Sequence, residues 1–381
     1  MRVAIFAETF LPKWDGITNT LCRLLEHLEE EGHQSIMFAP EGAPTSYAST
    51  KIYGYPAFNC PWYHDLRLAT PLGTATREID RFKPDVIHCA SPLLLGAMGL
   101  KKAKDMGVPV VASYHTDVPG YMEHYGFGAL REPSWAFFRF LHNQADLNVC
   151  PSTHTKQQLE AKGFERVEIW ARGVDTDLYS PDRASHAMRV RMSEGDTDAP
   201  LLLYTGRLAV EKRIDLLRPV LERIPHARLC LVGSGPAEEA MRSIFRETKT
   251  TFLGYLKGEE LATAYASADY FVFPSESETF GNVVLEAMAS GLTPVCAAAG
   301  GPIDIVDHGR NGFLFSPGQP MEISSVLEWL IANPEVSATI SQRARDHAVA
   351  NSWTNIMAGL LQQYEELVGA KHPVERPALA S

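Results

Sequence analysis

Two doubly wound α/β domains in tandem are the fold this sequence predicts, on three observations. Short β-branched runs alternate with helix-period segments along most of the chain. A polar stretch, residues 174–200, interrupts that alternation once, and a second series then begins. The length, 381 residues, exceeds the roughly 100–200 that one hydrophobic core serves. Continuous apolar strands separated by helices mean a parallel sheet covered on both faces, the doubly wound pattern.

The first series opens with the strand "RVAIFAE" (2–8), the helix-period run 18–33 and "QSIMFAP" (34–40). It continues with "DVIHCA" (85–90), a helix near 94–106 and "PVVASYH" (109–115). "ADLNVCPS" (145–152), a helix near 154–162 stopped by Gly163, and "RVEIWARG" (166–173) close it. The second series runs "LLLYTGRL" (201–208), a helix over 213–225, "ARLCLVG" (227–233), a helix over 236–248 and "TTFLGYL" (250–256). A helix near 258–266, "ADYFVFPS" (268–275), a helix near 282–290, "LTPVCAAA" (292–299) and "GFLFSP" (312–317) complete it. Amphipathic helices follow at 321–332, 335–350 and 352–369. The domains expected are 1–195, joined by the helix 352–369, and 196–351. In such sheets ligands bind beyond the carboxyl ends of the strands, here in a cleft between the two domains.

Composition narrows the function. Hydrophobic residues at 45% and charged residues at 21% are globular values, which argues against a disordered or fibrous chain. A net charge of −11 argues against a nucleic-acid partner, which needs a concentrated basic surface. The six cysteines form no C-x-x-C pair and no metal-ligand spacing, so buried free thiols in a reducing cytosol are expected. The opening "MRVAIFAETFLPKW" is a poor signal peptide, and no window carries the ~18 apolar residues of a spanning helix. The expectation is a cytoplasmic protein, at most peripheral on the inner face of a membrane.

Four places set polar or glycine-rich residues just beyond an apolar strand. In "PKWDGIT" (12–18), Gly16 would let backbone amides approach an anion at a helix start; by itself the loop reads equally as a plain turn. In "SYHTDVPGYMEHYG" (113–126), His115 and Asp117 stand at a strand's carboxyl edge, as ligand contacts or as satisfied structural groups. His124 alone makes no zinc site. In "TGRLAVEK" (205–212), Gly206 opens a turn, and Arg207 and Lys212 place two cations beside a helix start, suited to a diphosphate; Glu211 between them fits an ion-paired surface turn equally.

The fourth place, "SESETFGNVVLEAMASG" (275–291), carries Glu276, Glu278 and Glu286, with Gly281 and Asn282 at the expected helix start. At about 100° per residue, Glu278 and Glu286 differ by about 80° around the axis, so both reach toward one pocket at the helix N-terminus. First-turn acids on a solvated face are the plainer reading, and Glu276 fits it best.

Together these segments resemble the retaining GT-B glycosyltransferases of family 4. The resemblance is carried by the glycine loop, "YHTD", "RGVDTDLYSP", "GRLAVEK", "LVGSGP", "FLGYL", "ADYFVFPSESETFGNVVLEAMASG" and "NGFLFSP", in order along nearly the whole chain. The block 275–291 is similar to that family's E-x7-E motif. Within the family, "AIFAETFLPKWDGI", "FAPEG", "KIYG", "SYHTDVPGYMEHYGFG" and "HNQADLNVCPST" resemble the sulfoquinovosyltransferases that complete sulfoquinovosyl diacylglycerol. "ETFGN" and "AAAGGPIDIV" instead look like those of nucleotide-mannose-dependent mannosyltransferases.

The resemblance implies transfer from a nucleotide-diphospho-sugar with retention, two Rossmann-like domains facing across a cleft, and no cofactor or obligatory metal. It assigns Arg207 and Lys212, with the Gly206 turn, to the diphosphate and Glu286 to the ribose. Glu278 and the amides around Phe280, Gly281 and Asn282 go to the donor sugar, Gly16 near the phosphates, and His115 near the reacting sugar. The favoured reaction is sulfoquinovose from UDP-sulfoquinovose to diacylglycerol. The alternatives are a GDP-mannose-dependent or other hexosyltransferase, a nucleotide-sugar 2-epimerase, and a non-catalytic sugar-nucleotide binding module. On the acceptor side, "PSWAFFRFL" (133–141) and the basic cluster "GLKKAKDMG" (99–107) read either as packing and surface or as membrane contact.

Overall fold

The computed structural model describes residues 1–13, 15–60, 63–70, 75–115, 131–276, 278 and 280–371. The chain forms two compact units, Met1–Ala171 with the chain from Ile356 onward, and Arg172–Asn355.

In the first unit, β1 (Arg2–Ala7), β2 (Gln34–Pro40), β3 (Ser46–Tyr47) and β4 (Thr50–Tyr55) are followed by a hairpin, β5 (Ala57–Cys60) and β6 (Tyr63–Ala69). The strands β7 (Val86–Ala90), β8 (Val110–Ser113), β9 (Leu147–Cys150) and β10 (Val167–Ile169) complete it. The main sheet runs β10-β9-β8-β7-β1-β2-β4-β3 and is parallel except at β3–β4. Val3–Ala7 are buried because helices cover both faces. The helix Gly16–Glu30 turns Leu21, Leu24, Leu25 and Leu28 inward at helical spacing, and Asp15 caps its start by accepting from the Ile17 and Thr18 amides at 3.0 and 2.9 Å. The five cysteines whose side chains are described, Cys22, Cys89, Cys150, Cys230 and Cys296, are buried thiols.

The last helix, Trp353–Lys371, buries Met357, Leu360, Leu361 and Tyr364. Tyr364 bonds Nδ1 of buried His88, whose Nε2 bonds Ser113. Lys371 reaches the Val108 carbonyl and Asp146.

Glu8, just past β1, is 2% exposed. One carboxyl oxygen accepts the Leu95 and Gly96 amides at 2.6 and 3.2 Å, at the start of the helix Leu94–Met106. The other has no hydrogen-bond partner among the described residues. Burial pushes the carboxyl up to about 7 despite those amides. Its folded value exceeds its unfolded value, so stability is fully present below about pH 4.5 and is lost as pH rises through 7. Glu8→Gln should therefore raise the free energy of unfolding at pH 8, by about 3 kcal/mol at most, and leave it unchanged at pH 4. An equal effect at both pH values would contradict this.

The second unit is a six-stranded, all-parallel sheet ordered β13-β12-β11-β14-β15-β16. Its strands are β11 (Leu201–Thr205), β12 (Arg228–Val232), β13 (Thr250–Gly254), β14 (Tyr270–Phe273), β15 (Thr293–Ala297) and β16 (Phe313–Phe315). The chain builds outward from β11 to one edge, then returns to β14 on the other side of β11. The carboxyl ends of β11 and β14 thus form the switch point where such sheets bind ligands.

The units divide at Ala171 rather than at residue 195, because the segment 174–195 packs with the second unit. Val174, Tyr179, Met188 and Met192 lie in its core, and Arg189 clasps Asp269 through both guanidinium nitrogens at 3.0 and 2.9 Å. The polar appearance of 174–200 hides those four apolar anchors. Among the described residues, no helix is long and apolar enough to cross a membrane.

Candidate functional site

The loop after β11 is locked to the loop after β12 by backbone alone. The Gly206 amide donates to the Val232 carbonyl (3.0 Å) and the Leu208 amide to the Ser234 carbonyl (3.0 Å). Gly206 and Gly233 have φ of 146 and 137°, and a Cβ on Gly233 would strike the Gly206 carbonyl oxygen. This interlock fixes where Arg207 and Lys212 begin. Arg207 projects outward, its side chain 64% exposed, with Glu211 at 3.6 Å. The expected helix 213–225 starts late: Arg213 sits at φ 50°, two short 3₁₀ turns flank it, and the α-helix covers Leu217–Arg223. Lys212 ends the first of those turns, and its ammonium reaches the Glu278 carboxylate at 2.7 Å.

Glu278 belongs to the loop between β14 and the helix Asn282–Ala289. Gly281, at φ 92°, takes the left-handed turn that starts this helix, a conformation costly for other residues. Phe280 packs its ring on the apolar core, so its amide is the polar group it offers the loop, and Asn282 is exposed. Glu276, which has no argued role, pairs with Arg213 at 3.4 Å.

Glu286 lies just over one turn into the helix. It accepts the Tyr265 hydroxyl at 2.9 Å; Tyr265 in turn bonds Thr205, the last residue of β11. Burial pushes the Glu286 carboxyl up to about 7, and the Tyr265 and Tyr179 hydroxyls oppose that rise by hydrogen bonding the charged form. Glu278 and Glu286 are therefore tied to β11 and the loop after it, Glu278 through Lys212 and Glu286 through Tyr265 and Thr205.

Gly16 and His115 lie in the first unit. Gly16 is the first residue of its helix, and an added Cβ there would meet nothing within 4 Å. His115 follows β8, with its ring 5.5 Å from that of Trp170. Asp117 and His124 lie outside the described residues.

Tyr265, Tyr179 and Thr205 were not singled out from the sequence, since an isolated aromatic or threonine beside a core strand carries no chemical signal. The double glycine of "AAAGGPIDIV", Gly300 and Gly301, follows β15, and the Gly301 amide donates to the Glu278 carbonyl at 2.9 Å. A cavity of about 620 Å³ elsewhere in this unit, lined in part by Asp304, Asp307, His308, Arg310, Arg343 and His347, includes none of the site side chains.

The arrangement sets two cations, a carboxylate and a helix N-terminus at the switch point, the chemistry to hold a diphosphate and a polyhydroxyl group. The family model for Glycosyltransferase Family 4 matches residues 14–178, and that for Glycosyl transferases group 1 matches residues 191–347. Sulfoquinovosyl transferase SQD2 of Arabidopsis thaliana is 39% identical over 92% of this chain and 71% of its own. A GDP-mannose-dependent alpha-mannosyltransferase of Mycobacterium tuberculosis is 37% identical over 97% of this chain and 98% of its own. The crystal structure of Anabaena HepE in complex with UDP has a TM-score of 0.72, covering 96% of this chain and all of that one at 21% identity, a likeness of fold. The chain therefore belongs to glycosyltransferase family 4, with the two Rossmann-like domains of the GT-B fold.

Proposed function

We propose that this glycosyltransferase moves sulfoquinovose from UDP-sulfoquinovose to diacylglycerol, with retention at the anomeric carbon. The observation that carries the reading is the Lys212 ammonium 2.7 Å from the Glu278 carboxylate at the second unit's switch point. Lys212 and Arg207 hold the diphosphate and stabilise the charge it gains as the glycosidic bond breaks, the largest electrostatic contribution such a site supplies. The Gly206 turn lets backbone approach the phosphates. Glu286 accepts the ribose hydroxyls. Glu278, with the amides of Phe280, Gly281 and Asn282, orients the sugar and supports positive charge at the anomeric carbon; it is not a nucleophile. Gly16 contributes near the phosphates and His115 near the reacting sugar. The choice of sugar follows the 39% identity to SQD2.

Ribose binding to ionised Glu286 makes donor affinity pH-dependent. With the carboxyl near 7 in the empty site, binding below pH 7 must expel a proton, so affinity is lost as pH falls through 7. Calorimetric titration with UDP-sulfoquinovose, whose diphosphate does not titrate in this range, should show about tenfold tighter binding at pH 8 than at pH 6. Glu286→Gln should flatten that dependence. No binding, or an unchanged slope in the variant, would contradict the assignment.

The lipid acceptor calls for a membrane face, and the helix Arg131–His142 offers one. Trp135, Phe138 and Leu141 are buried, while Phe137 and Phe140 stand 51% and 67% exposed beside Ala136 and Pro133. The aromatic stretch thus serves packing with one face and leaves the other to a bilayer surface. Flotation with anionic liposomes at low salt should recover the wild type and lose Phe137→Ser/Phe140→Ser; failure of the wild type to float would count against a surface-bound enzyme.

The second reading is a GDP-mannose donor, favoured by the mannosyltransferase matched over 97% of this chain. Incubation with a panel of nucleotide sugars, with and without diacylglycerol, separates it by product. An epimerised nucleotide sugar would indicate a 2-epimerase, and absence of turnover a binding module.

A further inference from the structure

Glu278 is held at its backbone as well as at its carboxylate. Its carbonyl oxygen accepts the Gly301 amide at 2.9 Å, a bond arriving from the turn after β15. The two glycines of that turn lie flat against Glu278 and Phe280. A Cβ on Gly300 would fall onto the Glu278 carbonyl, and one on Gly301 onto the backbone of Phe280, both well inside van der Waals contact. Because these obstacles are backbone rather than flexible side chain, the loop would have to move. Gly300 also has φ 59°, in the left-handed region. The next residue, Pro302, continues the contact: its ring carbon lies 3.5 Å from where a Gly281 Cβ would stand. Residues 278, 280 and 281 thus rest on 300–302, while Lys212 holds the carboxylate from the opposite end.

We propose that Gly300 and Gly301 are positioning residues for the donor sugar, setting the placement of Glu278 and hence the discrimination between a nucleotide-sugar and its bare nucleoside diphosphate. The inference rests on the reading of Glu278 as a sugar contact. The backbone at Gly206 and Leu208 that presents the diphosphate groups is anchored on the loop after β12 instead, so a shift at Glu278 and Phe280 loosens the sugar while leaving that anchor in place. Displacement of a positioning backbone by about 1 Å is enough to cost on the order of 10²-fold in rate.

The test compares wild type, Gly300→Ala, Glu278→Ala and the double variant. Dissociation constants are measured for UDP-sulfoquinovose against UDP, and in parallel for GDP-mannose against GDP. For the pair that the wild type binds, the preference for the nucleotide-sugar should fall about tenfold or more in Gly300→Ala. It should fall equally in Glu278→Ala and no further in the double variant, because both changes remove one interaction. The melting temperature reports that the fold is kept, and the bare diphosphate, whose site includes the Lys212–Glu278 pair, is the reference against which the sugar's loss is read. Should Gly300→Ala fail to fold, Pro302→Ala, which adds no atoms, should reduce the preference in the same direction by a smaller factor. An unchanged preference in Gly300→Ala or Pro302→Ala beside a lost one in Glu278→Ala would overturn the positioning role alone, as would additive losses in the double variant. An unchanged preference in Glu278→Ala would remove the sugar-contact reading and this proposal with it.

Discussion

Glu278→Ala should lower turnover by roughly 10²-fold or more, the scale of removing one preorganised electrostatic group from a transition state, while the protein stays folded. The substitution leaves the backbone bond from Gly301 in place, since it uses the Glu278 carbonyl. The loop therefore keeps its path and only the carboxylate is lost. Glu276→Ala, two residues earlier, is the internal control: that side chain pairs with Arg213, so its removal should leave turnover within about twofold of wild type. Steady-state rates on donor and acceptor, alongside melting temperatures, read both outcomes. Wild-type turnover in a well-folded Glu278→Ala protein would sink the site assignment.

Lys212→Ala should weaken diphosphate binding more than Arg207→Ala, although both remove one positive charge. Lys212 is largely buried, 17% exposed, and is the partner of Glu278. Arg207 is mostly in solvent with a loose Glu211 contact, where charge interactions are screened. Without Lys212, the diphosphate loses a cation and also meets an uncompensated carboxylate, so affinity for UDP should drop by about 10²-fold, corresponding to about 2.7 kcal/mol. Adding Glu278→Ala to Lys212→Ala should then restore part of the UDP affinity without restoring turnover, a coupling expected of groups in contact. Arg207→Ala should reduce binding and rate by smaller factors. Equal losses for the two single variants, or no recovery in the double, would show that the 2.7 Å pair does not govern the site.

Much of this was legible in the sequence because parallel strands buried on both faces write themselves as continuous apolar runs. "RVAIFA" and "LLLYT" became the central strands β1 and β11, and the loops beyond β11 and β14 carry the cations and acids expected of them. Other features were hidden for physical reasons. Between Pro40 and Val86, β3 is two residues long, β4 and β6 carry polar or charged residues within their runs ("TKIYGY", "YHDLRLA"), and β5–β6 lie off the main sheet, so none makes a long apolar run. The late start of the helix Leu217–Arg223 depends on one left-handed residue, Arg213, that no glycine announces. The support of Glu286 by Tyr265 and Thr205 joins residues far apart in the chain but adjacent across β11. The brace on Glu278 likewise comes from Gly300 and Gly301, in the turn after β15, and becomes visible only when the two loops are brought together.

We read the switch point of the second unit as the place that holds a nucleotide-diphospho-sugar whose sugar passes to a lipid. The most direct test is mass-spectrometric identification of the product formed from UDP-sulfoquinovose and diacylglycerol vesicles, with GDP-mannose in a parallel reaction. Sulfoquinovosyl diacylglycerol, formed by the wild type and lost in Glu278→Ala, is the expected result. A mannolipid formed instead would contradict the donor, and no transfer product from either donor would contradict the claim itself.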